Sequence, residues 1–266
     1  MSELLTNGRM VLEIEQLSFQ NILHQVNTTF TSGQMVGIIG PNGAGKSTLM
    51  RLLAGIWKPS LGQVTLNGLP VRNLSTKERA RHIAYLPQQL SADCPFTVHE
   101  FVEMGRYAHN VTWGTNTKQG QEIVQSSISE MGLEKYGNTR VSDLSGGERQ
   151  RVGLARCLAQ ESSILLLDEP ISNLDIFYQM DILERLRALS EQGYLVILSI
   201  HHLEFATRYC SNLLLLQKGK VYAQGTPEDV LSETAMADVF AVNASPYRDP
   251  FGDFVRFSYQ PLREAD

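Results

Sequence analysis

A glycine-rich turn ending in a lysine and a serine, Gly40-Pro41-Asn42-Gly43-Ala44-Gly45-Lys46-Ser47-Thr48, carries the residues of this chain best suited to handling a phosphate. Glycines let a backbone curl until successive N–H groups and a helix start converge on one anion. Lys46 adds a compact positive charge at β and γ phosphates, and the Ser47 hydroxyl suits a Mg²⁺ ion. The apolar run Met35-Val36-Gly37-Ile38-Ile39 precedes the turn and Leu49-Met50-Arg51-Leu52-Leu53 follows it, the strand–loop–helix setting that a nucleoside-triphosphate loop requires. A second apolar run, Ile164-Leu165-Leu166-Leu167, ends in Asp168-Glu169. Such a run suits a central parallel strand, and ligands of open α/β sheets bind at the C-terminal ends of those strands. Asp168 is suited to hold Mg²⁺, directly or through water, and Glu169 to polarise an attacking water as general base.

A third segment, Leu144-Ser145-Gly146-Gly147-Glu148-Arg149-Gln150, opens a helical run and offers a second anion-binding helix start. Two such starts serve one triphosphate only if the second closes over a nucleotide held by a neighbouring copy. With these motifs in this order, the chain resembles the ATP-binding cassette (ABC) ATPases over nearly its whole length. The resemblance implies that Ser145, Gly146 and Gly147 of one subunit cover the γ-phosphate on the other subunit's loop. It also implies that Gln88, in Ala84-Tyr85-Leu86-Pro87-Gln88, senses that phosphate and Mg²⁺. Ser172-Asn173-Leu174-Asp175 matches the segment that crosses the dimer interface. His201, after Tyr194-Leu195-Val196-Ile197-Leu198-Ser199, matches the switch histidine that holds Glu169 and its water in register, a place where a lone histidine would otherwise be structural.

The chain departs from that pattern twice. The family usually places Asp after the switch histidine, and here His202 stands instead; an imidazole cannot replace a carboxylate as acceptor, which leaves the support of His201 open. The family also offers an aromatic for adenine just beyond the first strand. Here the loop is short and Phe19 is the nearby aromatic, either stacking on adenine or filling the strand core.

The elements that must position these residues read as follows. A chain of 266 residues, 42% of them apolar, supports one large α/β domain with an inserted subdomain. The fold class expected is an α/β P-loop NTPase core of the ABC ATPase type, with an antiparallel β subdomain and an inserted α-helical one. The ATPase domain spans about 10–240 and an extension 241–266. Residues 11–68 read as the antiparallel part around the loop's strand, with Asn67-Gly68 as a turn. Ser75 caps a short helix ahead of the strand 83–86. Helical patterning starts at about 89, where Thr97-Val98-His99-Glu100 is a capping box, and the insert extends to about 160. In the tail, the alternation at 253–259 suggests a strand or hairpin.

No apolar stretch approaches the roughly 18 residues that cross a bilayer. Cys94, Cys157 and Cys210 have no metal-ligand spacing and suit reduced thiols. A net charge of −5 argues against nucleic acid as a partner. Residues 1–9 lack a signal-peptide core and read as a short disordered or vector-derived lead. Within the insert, Gly105-Arg106-Tyr107-Ala108-His109 resembles a pattern of the importers for ferric siderophores, haem and cobalamin, with Ala108 in place of Pro. Val98, Phe101, Val102 and Gly105 fall at helical spacing and suit a buried face, while the segment 96–109 suits docking of a permease.

The resemblance therefore implies an ATP hydrolase using ATP and Mg²⁺, with Lys46, Glu169 and His201 catalytic, acting as a homodimer that powers a bacterial importer of a ferric siderophore or a related metal chelate, with cobalamin or haem as the alternative cargo. Its other partners would be integral-membrane permease subunits and, indirectly, a substrate-binding protein, at the cytoplasmic face of the membrane. A soluble ABC ATPase is the other reading.

Overall fold

A computed structural model describes residues 10–109, 117–248 and 255–261. The lead expected at 1–9, part of the insert (110–116) and parts of the tail lie outside the described residues. In chain order the first half comprises β1 (Val11–Phe19), β2 (Leu23–Thr31), β3 (Met35–Ile39), α1 (Lys46–Leu53), β4 (Leu61–Leu66), β5 (Leu69–Pro70), α2 (Thr76–His82), β6 (Ile83–Leu86), α3 (Val98–Glu103) and α4 (Lys118–Glu130). The second half comprises α5 (Gly146–Ala159), β7 (Ile164–Asp168), α6 (Ile176–Glu191), β8 (Leu195–Ser199), α7 (Leu203–Tyr209), β9 (Asn212–Gln217), β10 (Lys220–Gly225), α8 (Pro227–Val230), α9 (Glu233–Phe240), β11 (Val242–Arg248) and β12 (Val255–Pro261).

Six strands form a central sheet in the order β10-β9-β3-β8-β7-β6, parallel except for the antiparallel edge strand β10. Strands β3, β7 and β8 are buried at every residue, as the continuous apolar runs require of strands covered on both faces. Side chains of β7, β8 and β9 alternate between two separate cores. Leu165, Leu167, Val196, Leu198, Leu213 and Leu215 face the helices α3 to α7. Ile164, Leu166, Leu195, Ile197, Leu214 and Leu216 face α1 and the antiparallel sheet β2-β1-β4-β5. The period of two in each strand thus makes one sheet the shared wall of both cores. The Asn67-Gly68 turn joins β4 to β5 with both residues at positive φ, 48° and 79°.

The insert is anchored by its own caps. Thr97 and Glu100 form the capping box of α3, as the spacing predicts, and Val98 and Val102 are buried. A 3-10 turn, Met104–Ala108, continues α3. Arg106 and Tyr107 both lie in the segment expected to dock a permease, and the structure separates them. Arg106 is buried, with Nη1 donating to the Ala159 carbonyl and to the Glu161 carboxylate, each at 2.7 Å, so it fastens the insert to the end of α5 rather than facing a partner. Tyr107 is the exposed one. The cause lies in the turn: Gly105 packs so closely on α5 that a Cβ there would lie 2.5 Å from the Arg156 carbonyl oxygen, which brings its neighbour Arg106 against the helix end. In the tail, β11 and β12 pair as an antiparallel hairpin, with Ala244 and Phe257 joining the helix-side core.

Candidate active site

The order of the central sheet decides what meets at its C-terminal edge. Strand β3 delivers the glycine-rich turn, its neighbour β8 delivers Ser199 and His201, and β7 beyond it delivers Asp168 and Glu169. Asp168 lies opposite Ser199 in the β7–β8 register, and Ile38 lies opposite Ser199 in the β3–β8 register. Residues far apart in the chain are therefore neighbours across two strands.

Within the turn, Gly40 lies at φ 143°, and a Cβ there would sit 2.2 Å from the Leu216 carbonyl oxygen; no other residue fits so close to β9. Gly45, at φ 101°, opens α1 with no side-chain cap, whereas Ser75, Thr97 and Ser145 each cap their helices. The N–H groups of the first turn of α1 are thus left for an anion, and the helix dipole adds to their pull. Lys46 is buried across the turn, its Nζ donating to the carbonyls of Gly40 at 2.7 Å and Pro41 at 3.0 Å. Burial lowers the Lys46 pKa, and the nearby charges of Glu169 and Asp168 oppose that shift.

Asp168 is fully buried. Its Oδ1 accepts hydrogen bonds from the Ser199 hydroxyl at 2.7 Å and the Ser47 hydroxyl at 3.2 Å, while its Oδ2 is buried with no partner. A buried carboxylate oxygen without a donor needs a compensating charge, and the hydroxyl beside it makes the donor set hard and oxygen-based, which fits Mg²⁺. Among the described residues no cluster of three or more His, Cys, Asp or Glu gathers. Phosphate oxygens and water would complete the coordination, as Mg²⁺ commonly has it.

Glu169 has φ 50°, and its N–H donates to the Ser199 hydroxyl at 2.9 Å. Its Oε1 lies 2.5 Å from His201 Nε2. The two side chains are 17% and 38% exposed, so the pair stands at the cleft wall within reach of solvent. His202 occupies the N-cap of α7, offers no capping bond, and rests edge-on against Phe205 at 5.7 Å. The His201–Glu169 contact forms without an acidic residue at 202.

One open cleft is lined by Asn42, Gly43, Ala44, Gly45, Lys46, Ser47 and Thr48 together with Gln88, Glu169, His201 and Ile22. Gly40 and Pro41 act behind it through the Lys46 ammonium, and Asp168 through Ser47. Phe19 does not line the cleft. Its ring stacks on Trp57 with centroids 5.2 Å apart and planes 13° from parallel, and Arg51 lies over Trp57 at 4.6 Å, so the strand-core reading of Phe19 is the one its contacts satisfy. Ile22, in the turn after β1, is instead the large apolar side chain of the cleft.

Ser145, Gly146 and Gly147 stand apart from the cleft of their own chain. Ser145 closes a capping box with Glu148, and both Ser145 and Gly146 are exposed. Gly147 packs against the turn after Glu169, where a Cβ would lie 3.0 Å from the Asn173 carbonyl oxygen. The Tyr136 hydroxyl and then the Ser145 N–H and hydroxyl hold the Glu148 carboxyl down at about 2. Sequence reasoning missed Ser199, Gln150 and Ile22. Only Ser199 had a usable signal, as a polar residue ending an apolar strand. Gln150 is buried and its Nε2 donates to the Glu169 carbonyl at 3.1 Å.

Comparison with known proteins fits this geometry. The pattern of the ABC transporter family matches residues 23–172. The chain is 40% identical to the cobalamin import ATP-binding protein of Halobacterium salinarum over 255 residues, which is 96% of this chain but 63% of that relative. It is 42% identical to the hemin import ATP-binding protein of Pseudomonas putida, over 84% of this chain and 88% of the relative. Among solved structures, a metal-chelate type ABC transporter in an inward-facing conformation superposes with a TM-score of 0.80 at 26% identity, covering 94% of this chain and 97% of that one.

Proposed function

The chain belongs to the ABC transporter family, and on that premise we propose that it is the ATP-hydrolysing subunit of an importer for a metal chelate, of the class that includes ferric siderophores, haem and cobalamin. The observation that carries this reading is the uncapped start of α1 sharing one cleft with Lys46 and the Glu169–His201 pair. The triphosphate lies over α1, with Lys46 leaving the Gly40 and Pro41 carbonyls for the β and γ phosphates. Ser47, Asp168 and Gln88 would hold Mg²⁺, which would supply charge neutralisation at the phosphates. Glu169 accepts a proton from the attacking water, and His201 holds the carboxylate in place. The nucleotide's base meets Ile22.

The start of α5, exposed at Ser145 and Gly146, completes the site of a second copy, so the working unit is a homodimer. No helix among the described residues is long and apolar enough to cross a membrane. In this reading, passage of the chelate falls to integral-membrane permease subunits, fed by a substrate-binding protein, with this chain peripheral at the cytoplasmic face. The insert surface bearing the exposed Phe96 and Tyr107 is where the permease docks. ATP closes the dimer and hydrolysis reopens it, which drives the permease between two states.

The test measures Mg²⁺-dependent ATP hydrolysis by the purified protein and by Lys46→Ala, then chelate uptake after reconstitution with candidate permeases. Hydrolysis that survives Lys46→Ala would exclude the cleft, and hydrolysis without any permease-dependent uptake would favour a soluble ATPase.

A further inference from the structure

We infer that Gln150 is a positioning residue that ties the carboxylate of Glu169 to the start of α5, so that an anion docking at Ser145 is felt at Glu169; the inference rests on the reading of Glu169 as the base. Glu169 occupies the left-handed region at φ 50°, where a non-glycine residue persists only if its surroundings hold it. Its peptide is held on both sides. The N–H donates to the Ser199 hydroxyl at 2.9 Å. The carbonyl accepts from the Ser172 N–H at 3.2 Å, the Ser172 hydroxyl at 3.0 Å and the Gln150 Nε2 at 3.1 Å.

These three holders are not equivalent. Ser199 belongs to the central sheet and Ser172 to the same turn as Glu169, so neither carries news from elsewhere. Gln150 is 4% exposed and sits early in α5, whose first turn is the exposed Ser145 end. That end is closed on itself: the Glu148 carboxylate accepts from the Ser145 N–H at 2.9 Å and the Ser145 hydroxyl at 2.8 Å. An incoming phosphate must take over those two donors from Glu148, which releases the capping box and shifts the first turn. A helix moves as a rigid element, so Gln150 passes the shift to the Glu169 carbonyl, and the side chain at this strained residue swings with its peptide.

The experiment compares wild type, Gln150→Leu and Gln150→Glu by steady-state ATPase kinetics, pH–rate profile and thermal melting, with Glu169→Gln alongside. Gln150→Leu removes a buried donor, and we expect kcat to fall about 5-fold to 30-fold, with KM for ATP within about twofold because the α1 cleft is untouched. Gln150→Glu discriminates position from packing. Ionised, its carboxylate repels the Glu169 carbonyl; protonated, it donates as the amide did. Burial raises its pKa above the ordinary value of about 4.3, so its kcat relative to wild type should climb as pH falls from about 8.5 to about 6. Kinetics of both variants matching wild type would overturn the inference. So would a loss that is constant across pH and tracks a lower melting temperature. Glu169→Gln hydrolysing at the wild-type rate would instead remove Glu169 as base, and the inference would fall with that reading.

Discussion

At the residue scale, the carboxylate of Glu169 is aimed by its backbone. A left-handed conformation costs a non-glycine residue about 1–3 kcal/mol, and here the turn of the chain out of β7 that it creates puts Oε1 2.5 Å from His201. The buried Asp168 one residue earlier points the other way, into Ser199 and Ser47. Adjacent carboxylates are thus separated into a metal-side and a water-side group. Glu169→Gln keeps the shape and one acceptor oxygen and removes the base, so turnover should fall by roughly 10²-fold to 10⁴-fold with ATP affinity retained. Equilibrium nucleotide binding and single-turnover hydrolysis on the same preparation check this; parallel loss of both would mean that the residue shapes the cleft. The motif residues were legible because each is fixed to its neighbours along the chain. Ser199 and Gln150 were not, because their partners lie across strand and helix boundaries that spacing alone does not report. Phe19 was half legible: its type was apparent, but the stack on Trp57 depends on where α1 ends.

At the element scale, α3 and the 3-10 turn after it show why a helical period is not enough. The spacing put Val98 and Val102 in the core, and they are there. It could not tell that Arg106 would be buried and Tyr107 exposed, because the tight approach of Gly105 to α5 decides that. Arg106→Ala leaves the Ala159 carbonyl without its donor, while Glu161, 47% exposed, is resolvated. The expected loss is about 1–3 kcal/mol, larger than that for the exposed Tyr107→Ala. Denaturant melts of the two single variants check the contrast, and equal losses would contradict it. The start of α5 gives a pH-dependent case. The Glu148 carboxyl is held at about 2 by Tyr136 and Ser145, below its unfolded value of 4.5. A depressed carboxylate stabilises the folded state above the unfolded pKa and loses that contribution as pH falls through the folded one. The melting-temperature gap between wild type and Glu148→Ala should therefore be full above pH 4.5 and close as pH drops towards 2. A gap that is flat across that range would show that Glu148 acts through packing alone.

At the scale of the whole molecule, one chain holds two halves of an anion site that do not face each other. The α1 cleft has Lys46, Ser47 and the Glu169–His201 pair, while the exposed start of α5 carries Ser145 to Gly147 with no phosphate loop opposite. Two copies related by a two-fold axis would each complete the other, because an isologous contact repeats the same pairing twice. Ser145→Arg places a bulky cation where the second copy's γ-phosphate would sit. It also removes a cap, which costs about 1 kcal/mol by itself, so Ser145→Ala is the control that loses the cap without adding bulk. Nucleotide binding to the α1 cleft should survive in both, and hydrolysis should fail far more severely in Ser145→Arg. Mixing Ser145→Arg chains with Lys46→Ala chains then separates a shared site from a private one. In the heterodimer, Lys46 of the first chain faces the unaltered Ser145 of the second, and one complete site is restored. Recovery towards about a quarter of wild-type activity in an equimolar mixture, where half the dimers are mixed and each carries one complete site of two, is the expected outcome, read across a titration of one variant into the other. A mixture as inactive as its components would mean that the two halves never meet, and the exposed start of α5 would need a different occupant.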